Sequence, residues 1–395
     1  MAIYLDHAAT TPLRREVLDA MLPFLTEQFG NPSSAHSFGR QAREALDDAH
    51  ERVAARLNAQ AREIVFTSGG TEANNLALKG AAWAGKGRGH RIVTTAVEHH
   101  AVGHTLRYLE KFGFEIVELP VDRYGRVDPD HIEAAITDRT ILVAIMLANN
   151  EVGTIQPIAE IGRRVKAHRG VVLSVDAVQA APYLELDVQA LGADFVSLSA
   201  HKFEGPKGVG ALYIRNGTHI LAQQHGGSQE RHRRAGTENV AGAVGLAAAY
   251  DLVSAERPDT VKRLRRQRDR LRAAVLAVED TELTGHPTNR LPGLLSIIAR
   301  GTDGSSVALA LDLQGIAASV GSACTTGSTE VSHVLAAMGY PDEEAAGALR
   351  LSLGRTTTDE EVDVACQVVP RTLAEMKVGS VALAADPLGQ GVGAP

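Results

Sequence analysis

The chain has 395 residues, 44% of them hydrophobic and 22% charged, with a formal net charge of −7. That length exceeds what one core usually serves, so two subdomains are expected, and the composition excludes a mainly disordered chain or a coiled coil. The charge argues against nucleic acid or an acidic membrane surface as main partner, and no apolar run approaches the ~20 residues that span a bilayer. The first residues lack a secretory pattern, and Cys324 and Cys366 are too few for a disulfide framework, so a cytoplasmic protein is expected.

In chain order, the first short β-branched run is Ile64-Val65-Phe66-Thr67, followed by Ser68-Gly69-Gly70-Thr71-Glu72 and a helix from Ala73 onward. Small residues between a strand and a helix N-terminus let backbone N–H groups approach an anion, so Gly70 and Thr71 are candidates for a phosphate cradle. Taken alone, this is equally an ordinary helix start. Further runs at residues 91–94, 141–147, 171–175 and 194–198 are continuously apolar, which suits strands covered on both faces of a mostly parallel α/β sheet. Ligands of such sheets sit beyond the carboxyl ends of the strands, where polar residues should be sought. Asp176 follows one such run in Ser174-Val175-Asp176-Ala177-Val178-Gln179. A buried acid there needs a cationic partner, for which a protonated pyridine nitrogen serves, and Gln179 is placed to reach a phenolic oxygen. The bland alternative is a helix-capping Asp.

The run at 194–198 leads into Ser199-Ala200-His201-Lys202-Phe203-Glu204-Gly205-Pro206-Lys207-Gly208. Ser199 and His201 can donate to a phosphate, and Lys202 is an imine-forming amine at a strand end, where partial burial and nearby cations favour loss of its proton. One more strand is predicted at 209–214. After about Tyr250 the pattern changes to an Arg-rich helix with the stripe Val261, Leu264, Leu271, Val275 and Val278. A strand at 294–299 and helices at 307–313 and 360–374 complete a smaller α/β domain. Before the last helix, Cys324 stands in Gly321-Ser322-Ala323-Cys324-Thr325-Thr326-Gly327-Ser328, whose small polar flanks suit an exposed, reactive or sulfur-carrying thiol. Cys366 reads as plain packing. From Val378 the Gly-, Ala- and Pro-rich tail is expected to be disordered.

These segments together resemble the NifS-like (IscS-type) cysteine desulfurases of the aminotransferase class V group. The likeness runs from Tyr4 to Lys377 and includes Tyr4-Leu5-Asp6-His7-Ala8-Ala9-Thr10-Thr11-Pro12, Glu98-His99-His100-Ala101-Val102, Asn149-Asn150-Glu151-Val152-Gly153 and His225-Gly226-Gly227. The resemblance implies a fold-type I pyridoxal 5′-phosphate enzyme. Its large mostly parallel-sheet domain is expected at residues 16–255 and its smaller α/β domain at 1–15 and 256–377, with a tail at 378–395. It further implies Lys202 as the imine lysine, Asp176 and Gln179 as partners of the ring nitrogen and hydroxyl, and Gly70, Thr71, Ser199 and His201 at the phosphate. By the same resemblance His99 stacks on the cofactor ring, Asn150 lies beside the substrate and Arg350 grips the substrate carboxylate. Thr237 matches a residue that family members contribute from a neighbouring subunit, which implies a homodimer.

The cysteine loop resembles the long-loop group, with Cys324 passing sulfur from L-cysteine to an acceptor such as an iron–sulfur scaffold or a tRNA-thiolation enzyme. Ala200 and the pair Phe203-Glu204 depart from the common family residues. Alternatives using the same cofactor are a class V aminotransferase and a selenocysteine lyase. No metal is expected: His100 and His104 are four apart on a predicted helix, but no Glu follows His100 in the zinc-protease arrangement. The basic run from Lys262 to Arg272 is expected to be a solvated helix face.

Overall fold

The computed structural model describes residues 2–321 and 331–384, with backbone alone beyond Lys377. Cys324 lies outside the described residues. After a short strand β1 (Ile3–Tyr4), helices α1 (Arg15–Thr26) and α2 (Ser37–Arg56) lead into a seven-stranded sheet. Its strands are β2 (Ile64–Thr67), β3 (Arg91–Thr95), β4 (Glu115–Leu119), β5 (Thr140–Met146), β6 (Val172–Asp176), β7 (Phe195–Ser199) and β8 (Gly210–Ile214). They lie in the order β2-β8-β7-β6-β5-β3-β4, and β8 alone runs against its neighbours. Helices α3 (Gly70–Gly85), α4 (His100–Glu110), α5 (Pro129–Ala135), α6 (Ile158–Ala167) and α7 (Val188–Leu191) make the connections.

The continuous apolar runs are buried on both faces: all of β5 and β7 is inside. β4 escaped the sequence reading because it is the edge strand, and Glu-Ile-Val-Glu-Leu exposes part of its surface rather than forming an apolar run. Helix α6 shows the local logic of the covering layer. Its buried positions Ile158, Ile161, Gly162 and Val165 recur at helical spacing, with Glu160 in the first turn and Arg164 and Lys166 in the last.

Helix α8 (Val240–Val275) is unbroken across Pro258, and it crosses the boundary that sequence analysis placed at 255/256. Its first part is buried almost all round in the large core, while Leu264, Leu271 and Val275 enter the second core. That core is built on an antiparallel sheet of β9 (Thr281–Leu283), β10 (Leu294–Ala299) and β12 (Ala348–Ser352), on a parallel pair of β1 with β11 (Ile316–Ala317), and on α9 (Gly304–Leu313) and α12 (Asp359–Ala384). Short helices α10 (His333–Ala337) and α11 (Asp342–Ala345) lie between β11 and β12.

Two expectations are corrected. Helix α12 continues to Ala384, so residues 378–384 are helical rather than part of a disordered tail. The basic run is not simply a solvated face: Arg263 donates to the Arg355 and Thr357 carbonyls, Arg266 and Arg270 pair with Asp359, and buried Arg268 donates to the Leu291 carbonyl. An arginine stem covers apolar surface while its planar fork collects several acceptors, so a helix can use such residues to bind neighbouring segments.

Candidate active site

The carboxyl ends of β2, β3, β5, β6 and β7 deliver the expected residues to one edge of the large sheet. Gly69 and Gly70 follow β2, His99 caps α4 just after β3, Asn150 follows β5, Asp176 ends β6, and Lys202 lies one turn beyond β7. The reversed strand β8 begins there too, with Gly210 paired to both Thr67 and Ser199. A Cβ on Gly210 would stand 2.6 Å from the Gly69 carbonyl carbon and the Leu198 oxygen, and one on Gly70 would stand 2.7 Å from a Val178 methyl. The backbone at the α3 N-terminus is thus tightly backed by Gly210 and Val178, while Ser68 is exposed and Gly69 partly so, which is the form of an anion cradle. Glu72, in the first turn, accepts from Ser68 N and from Arg234 Nε. Burial alone would raise its pKa, but these donors hold it below the usual value and balance its charge beside the cradle.

Asp176 is buried, with one carboxylate oxygen 2.7 Å from Asn74 Nδ2 and the other 3.0 Å from Val178 N. Asn74, one helical turn beyond Gly70, was missed by the sequence reading. Its signal was a polar residue on the apolar face of α3, where polar groups are kept only when they have a partner.

The N-terminal segment was the larger omission, having been noted only for its resemblance. Ala8 O accepts from Lys202 Nζ at 2.6 Å and from Gln179 Nε2 at 2.8 Å, so these two side chains meet on one atom. Ala9 O accepts from Lys202 Nζ as well, at 2.9 Å. Thr10 Oγ1 lies 3.1 Å from His201 Nδ1, and Thr11 bonds the His201 carbonyl through both its N–H and its hydroxyl. His201 is pushed down to about 4 by burial and by the charges of Lys202 and Lys207, so its ring is neutral at pH 7 and able to donate through one nitrogen. His99 Nδ1 accepts from Ala101 N at 3.1 Å, which puts the proton of the neutral ring on Nε2.

Asp6, in the same N-terminal segment, reaches the small domain. Its Oδ1 is 2.9 Å from Nη2 of Arg350 on β12, whose Nη1 donates to the Asn150 carbonyl at 2.9 Å. Arg350 is 1% exposed, and its Nε has no hydrogen-bond partner among the described residues. Thr71 and Thr237 are exposed, and Ser199 is buried. The His100 and His104 rings stack at 4.9 Å, and His100 also meets His333 at 4.9 Å.

The residues present fit pyridoxal phosphate. A cradle that a Cβ would fill lies beside a buried Asp, and a lysine and a glutamine share one carbonyl nearby. The comparisons agree. The aminotransferase class-V family model matches residues 3–364. A cysteine desulfurase IscS of Methanosarcina thermophila is 50% identical over 376 residues, which are 95% of this chain and 93% of that protein. A solved NifS-like protein superposes with a TM-score of 0.90 at 38% identity, covering 95% of this chain and all (100%) of that one. A structure described as SspA in complex with cysteine gives a TM-score of 0.78 at 33% identity, covering 89% and 98%. Sequence, site and comparisons converge: the chain belongs to the aminotransferase class-V family of pyridoxal-phosphate enzymes, in its cysteine desulfurase branch.

Proposed function

We propose that this desulfurase takes sulfur from L-cysteine onto Cys324, leaving L-alanine, with Lys202 as the base and Arg350 as the carboxylate anchor. The observation that carries the assignment is the convergence on residues 6–11: Lys202 and Gln179 meet at Ala8 O while Asp6 holds Arg350. The cofactor supplies an electron sink that makes the α-proton of a bound amino acid acidic. Asp176, fixed by Asn74 and Val178 N, would partner the cofactor's ring nitrogen, and Ser199, His201 and the α3 N-terminus would hold its phosphate. Arg350 takes the substrate carboxylate, and Lys202 Nζ, half-buried, removes the α-proton. The Cys324 thiolate then bonds to the substrate sulfur as the carbon–sulfur bond breaks, so that a thiol and cysteine become a persulfide and alanine.

Exposed Thr237 is available to a neighbouring copy, which supports a homodimer with shared sites. The persulfide passes to an acceptor protein, an iron–sulfur scaffold or a tRNA-thiolation enzyme. Among the described residues no helix is long and apolar enough to cross a membrane.

The test is an absorbance spectrum of the holoenzyme, then L-cysteine addition with assays for alanine and sulfide. Equal alanine and sulfide under reductant is the expected result, lost in Lys202→Ala together with the lysine-bound cofactor band. Cys324→Ser should abolish alanine formation. Turnover that survives Cys324→Ser, or amino transfer to a keto acid without sulfide, would overturn the assignment.

A further inference from the structure

Both described ends of the segment that carries Cys324 converge on one carboxylate. At the far end, Ser332 Oγ donates to Glu151 Oε2 at 2.5 Å while capping α10 by accepting from Leu335 N at 3.2 Å. At the near end, Gly321 lies so close that a Cβ there would stand 2.9 Å from the same Glu151 oxygen. Glu151 is buried, and its own backbone is set by Asn149, whose side-chain oxygen accepts from Glu151 N and Val152 N at 2.8 and 2.9 Å. Asn150, the residue read as lying beside the substrate, is thus in the same short turn.

Arg350 reinforces the near end. It pairs with Ser319 through both backbone groups, and its Nη1 lies 3.4 Å from the Gly321 carbonyl as well as 2.9 Å from that of Asn150. Cys324 is three residues past Gly321 in the sequence. A tethered nucleophile gains most when its tether is anchored beside its target.

We propose that Glu151 is a positioning residue for sulfur transfer: bonded to Ser332 and backed against Gly321, it holds both ends of the Cys324 segment at the turn that presents Asn150. Glu151 touches neither substrate nor cofactor in this role. It acts through the geometry of Cys324, and the proposal rests on the reading of Cys324 as the sulfur acceptor. The carboxylate is suited to the task because it accepts strongly from the Ser332 hydroxyl while leaving no side-chain volume between itself and Gly321.

The test separates binding from sulfur transfer in the holoenzyme. L-Cysteine binding is followed by the cofactor's absorbance change, and sulfur transfer by alanine formed and persulfide found on Cys324 in the first turnover. Glu151→Ala and Ser332→Ala should bind L-cysteine within about twofold of wild type while first-turnover alanine falls about tenfold or more. Glu151→Gln, whose amide oxygen still accepts from Ser332, should recover to within about threefold of wild type. A general structural defect would instead weaken the binding signal in parallel, and that outcome overturns the proposal. So does persulfide formation at the wild-type rate in Glu151→Ala. Cys324→Ser, run beside them, distinguishes the two levels. If it forms alanine normally, the sulfur-acceptor reading falls and the Glu151 role falls with it; if it is inactive while Glu151→Ala is normal, only the Glu151 role falls.

Discussion

Glu98 shows how one buried residue can make the folded protein sensitive to pH. Its carboxyl accepts from Thr95 Oγ1 at 2.6 Å and Met146 N at 3.1 Å, yet burial, with the nearby charges of Asp176 and Glu118, pushes it up to about 8. Between 4.5, the ordinary value, and about 8 the native state keeps a proton that the unfolded chain releases. The stability tied to that proton is thus fully present below the unfolded value and is lost as pH rises through the folded one, a change on the order of a few kcal/mol. Glu98→Gln keeps the shape and removes the titration. The melting temperature of the wild type should fall relative to this variant between pH 5 and pH 9 (about the span of the two values). Parallel curves over that range would mean that Glu98 is already ionised in the folded state. At this scale the candidate residues Lys202, Asp176 and Gly70 were legible because they follow strand ends, and His99 only through the family resemblance. Asn74, Ala8 O and Asp6 were not legible, because a partner's position is not contained in the spacing along the chain.

At the level of elements, the cradle is a junction of three backbones: the turn after β2, the end of β7 and the start of β8. The sequence around Gly69 and Gly70 announces a tight turn before a helix, and that much follows from residue type. The reversal of β8 does not, because an apolar run has no direction. Only pairing with β2 and β7 shows that Gly210 starts its strand where the other two end. Gly70→Ala tests the junction, since its new methyl would meet Val178 at 2.7 Å and Ser199 Cβ at 3.4 Å. The expected cost of overpacking is about 1–3 kcal/mol. Because the strain falls on the turn proposed to bind the phosphate, the loss should be visible as a cofactor Kd about tenfold weaker by absorbance titration, with secondary structure retained. Unchanged cofactor affinity would place the phosphate away from this helix end.

The whole molecule is held by elements that belong to two cores at once. Helix α8 begins among the large-core residues Ala243 to Tyr250 and ends in the small core at Leu264, Leu271 and Val275. The N-terminal segment starts beside β11 and β12 and then passes Lys202 and Gln179. Leu264 is fully buried, and Leu264→Ala should cost about 2–5 kcal/mol. Since α8 is continuous, that loss should lower one cooperative transition in which helical signal and cofactor band disappear together. An earlier, separate loss of small-domain structure would show that the two cores fold independently.

Composition, apolar runs and strand-end residues by themselves pointed to a large α/β enzyme and to candidates for a phosphate cradle, an imine-forming lysine and a sulfur-carrying thiol. These are properties of residue type and local spacing, which the linear chain contains. The tertiary structure decided what lies against them: the N-terminal segment threaded between Lys202 and Arg350, the Asn74 support of Asp176, and the Glu151 contact to both ends of the cysteine segment. Each of these joins residues at least 102 positions apart, the separation of Asn74 and Asp176; Asp6 and Arg350 meet over 344, and Ser332 and Glu151 over 181. Such contacts arise only when burial forces every polar group to find a partner in three dimensions.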